Sequence, residues 1–340
     1  MKKKDKILVT GGLGYIGSHT CVALYKSGYE PIIVDNLSNS NIDVLGNIEL
    51  LIEDRISFYQ CDCRDIISMT KVFDAEIDIK GVIHFAAFKS VNESVDNPIK
   101  YYDNNINGLL NILECIDSNN IDYFVFSSSC TVYGIPDNLP VTEEERLKDP
   151  LSPYGWTKYI GEKIISQWAE KKEISPVLLR YFNPIGAHPS ALIGELPSGI
   201  PNNLVPYITQ AAAGLRESIT IYGDDYETPD GTCIRDYIHV CDLAEAHVAA
   251  LDFCKKSDSI EFFNIGTGEG KSVKEIIESF QQVNNISLKY KKGERRIGDV
   301  DKIWASTDKA INIMKWKSKI SVEDALKDAW NWEKNLRNIK

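Results

Sequence analysis

The sequence predicts an α/β fold: a doubly wound parallel sheet with a smaller, loop-rich region interleaved with it. Three observations carry that expectation. Short apolar runs alternate with helix-length segments through the first half of the 340 residues, the pattern of strand–helix–strand units. Polar residues collect wherever such a run ends. After about Asn183 the alternation stops, and Pro184, Pro189, Pro197, Pro201 and Pro206 mark loops and short helices,.

Taken in order, Lys6–Thr10 reads as a buried strand and Ile16–Lys26 as a helix entered from a glycine turn. Ile32–Val34 is a strand ending at Asp35, Ser57–Gln60 one ending at Asp62, and Gly81–Phe85 one ending at Ala86-Ala87. Tyr123–Phe126 runs into Ser127-Ser128-Ser129, and Val177–Arg180 into Tyr181-Phe182-Asn183. Glu261–Ile265, ahead of Gly266-Thr267-Gly268, is expected to return to the same sheet. The first domain therefore takes residues 1–182 and the second 183–340. In open sheets of this kind ligands bind at the carboxyl edge of the strands. The polar strand ends place the candidate site on that rim.

A net charge of -11 with 26% charged and 43% hydrophobic residues describes a globular chain and argues against nucleic-acid or acidic-membrane partners,. The start is basic, but Ile7-Leu8-Val9 is too short for a signal peptide core, and no stretch approaches a membrane span,. A cytoplasmic location and reduced thiols at the eight cysteines are expected,. Cys61 and Cys63 form the one close pair. No ligand stands near them to complete a metal site, so no metal is expected,.

The glycines fit two registers. Gly12-x-Gly14-x-x-Gly17 matches the dinucleotide fingerprint, and Gly11-x-x-Gly14-x-x-Gly17 matches a wider spacing. Either allows a tight turn and close backbone approach to a pyrophosphate at a helix N-terminus, the Rossmann arrangement. Asp35 follows Gly17 by 18 positions at the next strand end. Its carboxylate accepts from a ribose 2′-hydroxyl and repels a 2′-phosphate, which favours NAD over NADP.

Ser152-Pro153 reads as a helix start, with an N-cap hydroxyl and a proline at the first helical position,. Tyr154 and Lys158 are four apart and share one face of that helix,. Ile160, Ile164 and Trp168 are expected to be its buried stripe,. A free phenol has a pKa of about 10. An ammonium beside it, and the positive charge of an oxidised nicotinamide, would favour the phenolate and make it a base. Ser129 can relay the proton, although Ser127 and Ser128 leave the register open.

Further blocks extend these motifs: Asp35-Asn36-Leu37, His84-Phe85-Ala86, Tyr101-Tyr102-Asp103-Asn104-Asn105, Ser127 to Gly134, Arg180 to Pro184, Gly199 to Leu204 and Arg235 to Val240. From Thr10 to about Asp299 the chain resembles the UDP-glucose 4-epimerase family of extended short-chain dehydrogenase/reductases. The resemblance implies Tyr154, Lys158 and Ser129 as catalytic residues. It implies an NAD site of Gly11, Gly12, Gly14, Tyr15, Ile16 and Gly17, then Asp35, Asn36, Leu37, Ser38, Asn39 and Ser40. Asp62, Cys63, Phe85, Ala86, Ala87, Lys89, Asn104 and Phe182 complete that set, with Ser129, Tyr154 and Lys158 facing the nicotinamide. Besides Ser129 and Tyr154, the UDP-sugar would meet Asn183, Asn203, Leu204, Arg235, Arg296, Asp299 and Ile303. Only nine arginines stand against 29 lysines, so Arg235 and the Arg295-Arg296 pair stand out as forks for a diphosphate.

The implied reaction interconverts UDP-glucose and UDP-galactose. Carbon 4 is oxidised transiently, the keto sugar turns on its diphosphate tether, and hydride returns to the other face. Weak action on UDP-N-acetylhexosamines is expected from the intermediate bulk of Ile303, and a homodimer through about Pro98–Asp117 and Pro153–Glu170 from the likeness alone. Three competing readings are a nucleotide-sugar 4,6-dehydratase, a net NAD-dependent dehydrogenase and a non-enzymatic NAD sensor. Dehydratase relatives carry an Asp-Glu pair where this chain has Cys130-Thr131, and the intact Ser129, Tyr154 and Lys158 set speaks against a sensor.

Overall fold

β1 (Lys6–Thr10), an uninterrupted apolar run buried from Ile7 onward, lies inside a seven-stranded sheet. The computed structural model describes residues 4–296 and 299–339. The first three residues of the basic start lie outside the described residues. From β1 the chain passes through α1 (Tyr15–Lys26), β2 (Glu30–Asp35), α2 (Asp43–Ile52), β3 (Ser57–Gln60), α3 (Ile66–Ala75) and β4 (Ile79–His84). Next come α4 (Val91–Asp96), α5 (Pro98–Tyr102), a wide turn at Asp103–Asn107, α6 (Gly108–Asn119), β5 (Tyr123–Ser129), α7 (Pro153–Ala169) and β6 (Val177–Tyr181). The remainder holds β7 (Asn183–Ile185), α8 (Leu204–Ala212), β8 (Ile219–Tyr222), β9 (Ile234–His239), α9 (Val240–Cys254) and β10 (Glu261–Ile265). It ends with β11 (Gly270–Ser272), α10 (Val273–Asn284), β12 (Tyr290–Gly293), β13 (Lys302–Ile303) and α11 (Val322–Arg337).

The main sheet runs β10-β6-β5-β4-β1-β2-β3 with every pair parallel. Strand order reverses between β1 and β4, which opens a crevice at their carboxyl ends. One face is packed by α1 and α9 with Leu24, Leu243 and Leu251, the other by α3, α6 and α7 with Val72, Ile112 and Ile165. β10 pairs with β6, so the strand expected to return to the sheet does so. Past β6, β7, β11 and β13 all pair with β9, and β8 pairs with β12. A separate core of Ile208, Phe280 and Leu326 supports that region.

The buried face of α7 differs from the expected stripe. Ile160, Ile164 and Trp168 are only partly buried, while Tyr154, Lys158, Gly161, Glu162 and Ile165 are buried. The apolar period misled because Lys158 and Glu162 find partners inside, which makes burial of charged side chains tolerable. Ser152 caps the helix as expected, accepting from the Gly155 amide at 3.2 Å, with Pro153 behind it.

Candidate active site

Where β1 and β4 part, the glycine loop closes on itself through a bond from the Gly14 amide to the Gly11 carbonyl. Gly11 has φ +68°, and a Cβ there would lie 2.9 Å from the Ala86 nitrogen. A Cβ on Gly17 would lie 2.2 Å from the Gly11 oxygen. These glycines therefore permit a turn that side chains would forbid. The loop opens α1, whose unpaired N-terminal amides suit a pyrophosphate. Asp35 receives the Leu13 amide at 3.1 Å, the Leu37 amide at 2.9 Å and the Ser40 hydroxyl at 2.7 Å. Three donors leave one of its acceptor sites for a ribose hydroxyl. Its neighbours in sequence along the cleft are Asn36, Ser38, Asn39 and Ser40, none of them a cation. The donor set fits NAD.

Glycine loop, α7 and the second half face one another across a single cleft of about 910 Å³. Of the expected cofactor set, Gly11, Gly14, Tyr15, Ile16, Gly17, Asp62, Cys63, Phe85, Ala86, Ala87, Lys89 and Asn104 line it, as do Asp35, Asn36 and Ser38–Ser40. Four residues of the whole prediction stand behind the lining. Gly12 packs on Ile33, Leu37 packs on the core with φ +59°, and Phe182 is buried beside Ile303. Ser129 is buried at the end of β5, and its hydroxyl accepts from the Thr131 amide at 3.3 Å.

The three serines at the end of β5 divide their work. Ser127 reaches the Tyr181 hydroxyl at 3.2 Å and Ser128 donates to Glu162 at 2.6 Å. Ser129, whose hydroxyl makes neither of these bonds, is the serine that influences the Tyr154 phenol. Burial pushes the Tyr154 phenol well above its usual range, Tyr181 adds to this, and the Ser129 hydroxyl opposes it. Lys158 points its ammonium at the Ser127 carbonyl, 2.7 Å away, and burial draws it down to about 8. The Lys158 ammonium and the Tyr154 phenol share the buried face of α7.

Opposite, Asn183, Asn203, Leu204, Arg235, Arg296, Asp299 and Ile303 all line the cleft. Asp299 holds both arginines, with Arg235 at 3.5 Å and Arg296 at 3.0 Å. That gathers two guanidinium groups at one carboxylate, a candidate fork for paired phosphates. Arg295 turns away to Asp225, so only Arg296 of the Arg295-Arg296 pair belongs here. Ile303 is buried in register with Arg235 and packs with Val132, Tyr133 and Phe182. Sequence reasoning missed Glu195, which accepts from Lys89 at 2.8 Å and from Asn203 at 2.6 Å and so ties the two sides together. No local pattern marks it. Glu162 was also missed, although its place four residues after Lys158 was a usable signal.

Comparisons with known proteins agree with this geometry. A family model described as GDP-mannose 4,6 dehydratase matches residues 8–329. The UDP-glucose 4-epimerase of Bacillus subtilis is 46% identical over 98% of each chain. A Stenotrophomonas UDP-glucose-4-epimerase, solved with bound NAD and formylated UDP-arabinopyranose, superposes with TM-score 0.95 at 42% identity, covering 99% of this chain and 100% of that one. The Bifidobacterium longum UDP-glucose 4-epimerase, in complex with NAD+ and UDP, gives TM-score 0.95 at 41% identity over 98% and 100%. At this similarity in sequence and fold, over nearly the whole chain, the chain belongs to the UDP-glucose 4-epimerase family of extended short-chain dehydrogenase/reductases.

Proposed function

We propose that the protein interconverts UDP-glucose and UDP-galactose with NAD as a retained cofactor. One observation carries the reading: a single cleft joins a dinucleotide loop, a tyrosine–serine pair and a double-arginine fork. Residues 1–182, with β10, form the NAD-binding domain in this reading, and 183–340 the UDP-sugar domain. Bound in the glycine loop, oxidised NAD supplies a hydride acceptor for carbon 4 and a positive charge that opposes the effect of burial on Tyr154.

Tyr154 takes the 4-hydroxyl proton and later returns one to the product, while Ser129 holds the phenol and the substrate oxygen in line. Lys158 supplies the positive charge at the floor of the cleft. Arg235, Arg296, Asn183, Asn203 and Leu204 hold the UDP end, with Asp299 fixing the arginines. Against the sugar the wall at Ile303 is apolar. It offers few directional bonds, so the keto sugar is free to turn while its diphosphate stays clamped.

Dehydration would need a further acid/base pair beside Ser129. The positions that would supply it are Cys130, a thiol that burial pushes up to about 12, and Thr131. A homodimer through about Pro98–Asp117 and Pro153–Glu170 is supported by Ile99 and Leu110, which remain exposed on the first of these segments. No described helix is long and apolar enough to cross a membrane. Eight free cysteines suit the reducing interior of a cell, so the cytoplasm is the proposed compartment,. Incubation of the purified protein with UDP-galactose, without added NAD, tests the activity. UDP-glucose should form with no accumulation of NADH. A stoichiometric rise in NADH, or a keto product, would refute it.

A further inference from the structure

We propose that Glu162 is a positioning residue that keeps Lys158 cationic, working through a buried ion pair with Arg180. The inference rests on the epimerase reading for its kinetic test and on geometry for its substance. Arg180, from β6, grips Glu162 with both arms of its guanidinium, Nε at 2.9 Å and Nη2 at 2.7 Å. Ser128 donates to the same carboxylate at 2.6 Å. Both ion-pair partners are almost wholly buried. Such a pair seldom adds net stability over an apolar pair of the same volume, since the desolvation of two charges offsets their attraction. A role other than stability is called for, and the neighbour of Glu162 supplies it.

Glu162 lies one helical turn after Lys158 on the buried face of α7,. Burial alone would strip Lys158 of its proton. Glu162 is the charge that opposes this. The other groups around Lys158 cannot replace it. From β4, His84 is held neutral by burial, drawn down to about 3. From β5 come the Ser127 carbonyl and the Phe126 ring, 5.0 Å from the ammonium. Burial raises the Tyr154 phenol of α7, the Tyr101 phenol of α5, Tyr181 of β6, and Cys130 and Tyr133 after β5, so none carries charge at neutral pH. On α4, Glu93 is tied to Lys100 and Tyr101, and in the turn before α6, Asp103 is tied to Arg64. Arg180 repels Lys158, and its charge is taken up by Glu162. Among the described residues, Lys158 therefore depends on one carboxylate, which a fork and a hydroxyl hold in place.

The test compares wild type with Glu162→Gln and Glu162→Asp in two readouts. One is the pH profile of kcat for UDP-galactose, whose basic limb reports loss of the Lys158 proton. The other is the titration of Lys158 followed by NMR of ¹³C-lysine-labelled protein, with the signal assigned through Lys158→Met. Glu162→Gln should move both midpoints down by about one to two pH units, and Glu162→Asp should restore part of the shift. Should Glu162→Gln fail to fold because Arg180 is left unpaired, Glu162→Gln/Arg180→Met removes both charges and should still move the midpoints down, by less than Glu162→Gln because the repulsion from Arg180 is lost as well. Midpoints that stay at the wild-type position in a folded variant would overturn the inference. A wild-type protein without epimerase activity would instead refute the functional reading, and the NMR titration would still decide the role of Glu162.

Discussion

Replacing Gly17 by alanine sets a methyl group against backbone rather than against a side chain that could turn aside. The new Cβ would lie 2.2 Å from the Gly11 oxygen, 2.9 Å from the Gly12 Cα and 3.0 Å from the Gly11 carbonyl carbon. Carbon atoms in contact settle near 3.5–4.0 Å, so loop and helix must part by roughly 1 Å. The loop has little room to retreat. Gly11 lies close against Ala86, and its amide is bonded to the Val34 carbonyl at 2.7 Å. Overpacking costs about 1–3 kcal/mol, and a weakened backbone hydrogen bond about 0.5–1.5 kcal/mol more. The sum is about 1.5–4.5 kcal/mol, with its middle at roughly 2–4 kcal/mol. At about 2 °C per kcal/mol, the low end of the scale for large domains, Tm should fall by about 4–8 °C. The displaced amides are those expected to meet the pyrophosphate. If half of the strain is expressed in binding, NAD affinity drops by about 5- to 30-fold. Bound NAD per chain, measured after acid denaturation of purified protein, and a thermal melt check both numbers. Gly14→Ala is the control, because its Cβ would meet only the Gly11 oxygen, at 3.1 Å. Full NAD content and an unchanged Tm in Gly17→Ala would refute the close-approach argument.

Tyr154→Phe should fold and retain NAD while losing about 10²- to 10⁴-fold in kcat; near-normal turnover would show the proton transfer to lie elsewhere. Lys158 is drawn down to about 8 by burial, below its unfolded value of about 10.5. Its charge therefore opposes folding below pH 8, and this penalty fades as pH rises toward 10.5. Lys158→Met should accordingly be inactive yet melt higher than wild type at pH 7, with the gain shrinking across that window; a lower melting point at pH 7 would contradict it. Arg235→Ala should weaken UDP binding in calorimetry by about 10- to 150-fold, the worth of a charged hydrogen bond, and unchanged affinity would remove Arg235 from the fork. Ile303→Ser should improve turnover of the N-acetylated substrates while destabilising the fold by about 2–4 kcal/mol, because Ile303 is also part of a packed cluster,. No gain on those substrates would refute its role as the sugar wall.

Much of this protein was legible from sequence because the relevant physics is local. The turn at Gly11 to Gly17, the Ser152-Pro153 cap, the strand ends at Asp35 and Ser129 and the four-residue step from Tyr154 to Lys158 all follow from sterics and periodicity among near neighbours,. The strand at Glu261–Ile265 was recognisable by its apolar run and its glycine exit. What folding alone decided concerns partners far apart in the chain. The buried face of α7 runs through Lys158 and Glu162, not Ile160 and Ile164, because the Ser127 carbonyl and Arg180 wait inside to receive charge. Only the packed β9 and its neighbours place Asp299 against Arg235 as well as Arg296 while sending Arg295 to Asp225. Glu195 joins Lys89 to Asn203 across 106 and 8 residues of sequence. Spacing records which groups a helix or turn can align, but whether a buried charge is tolerated depends on what the rest of the chain brings to meet it.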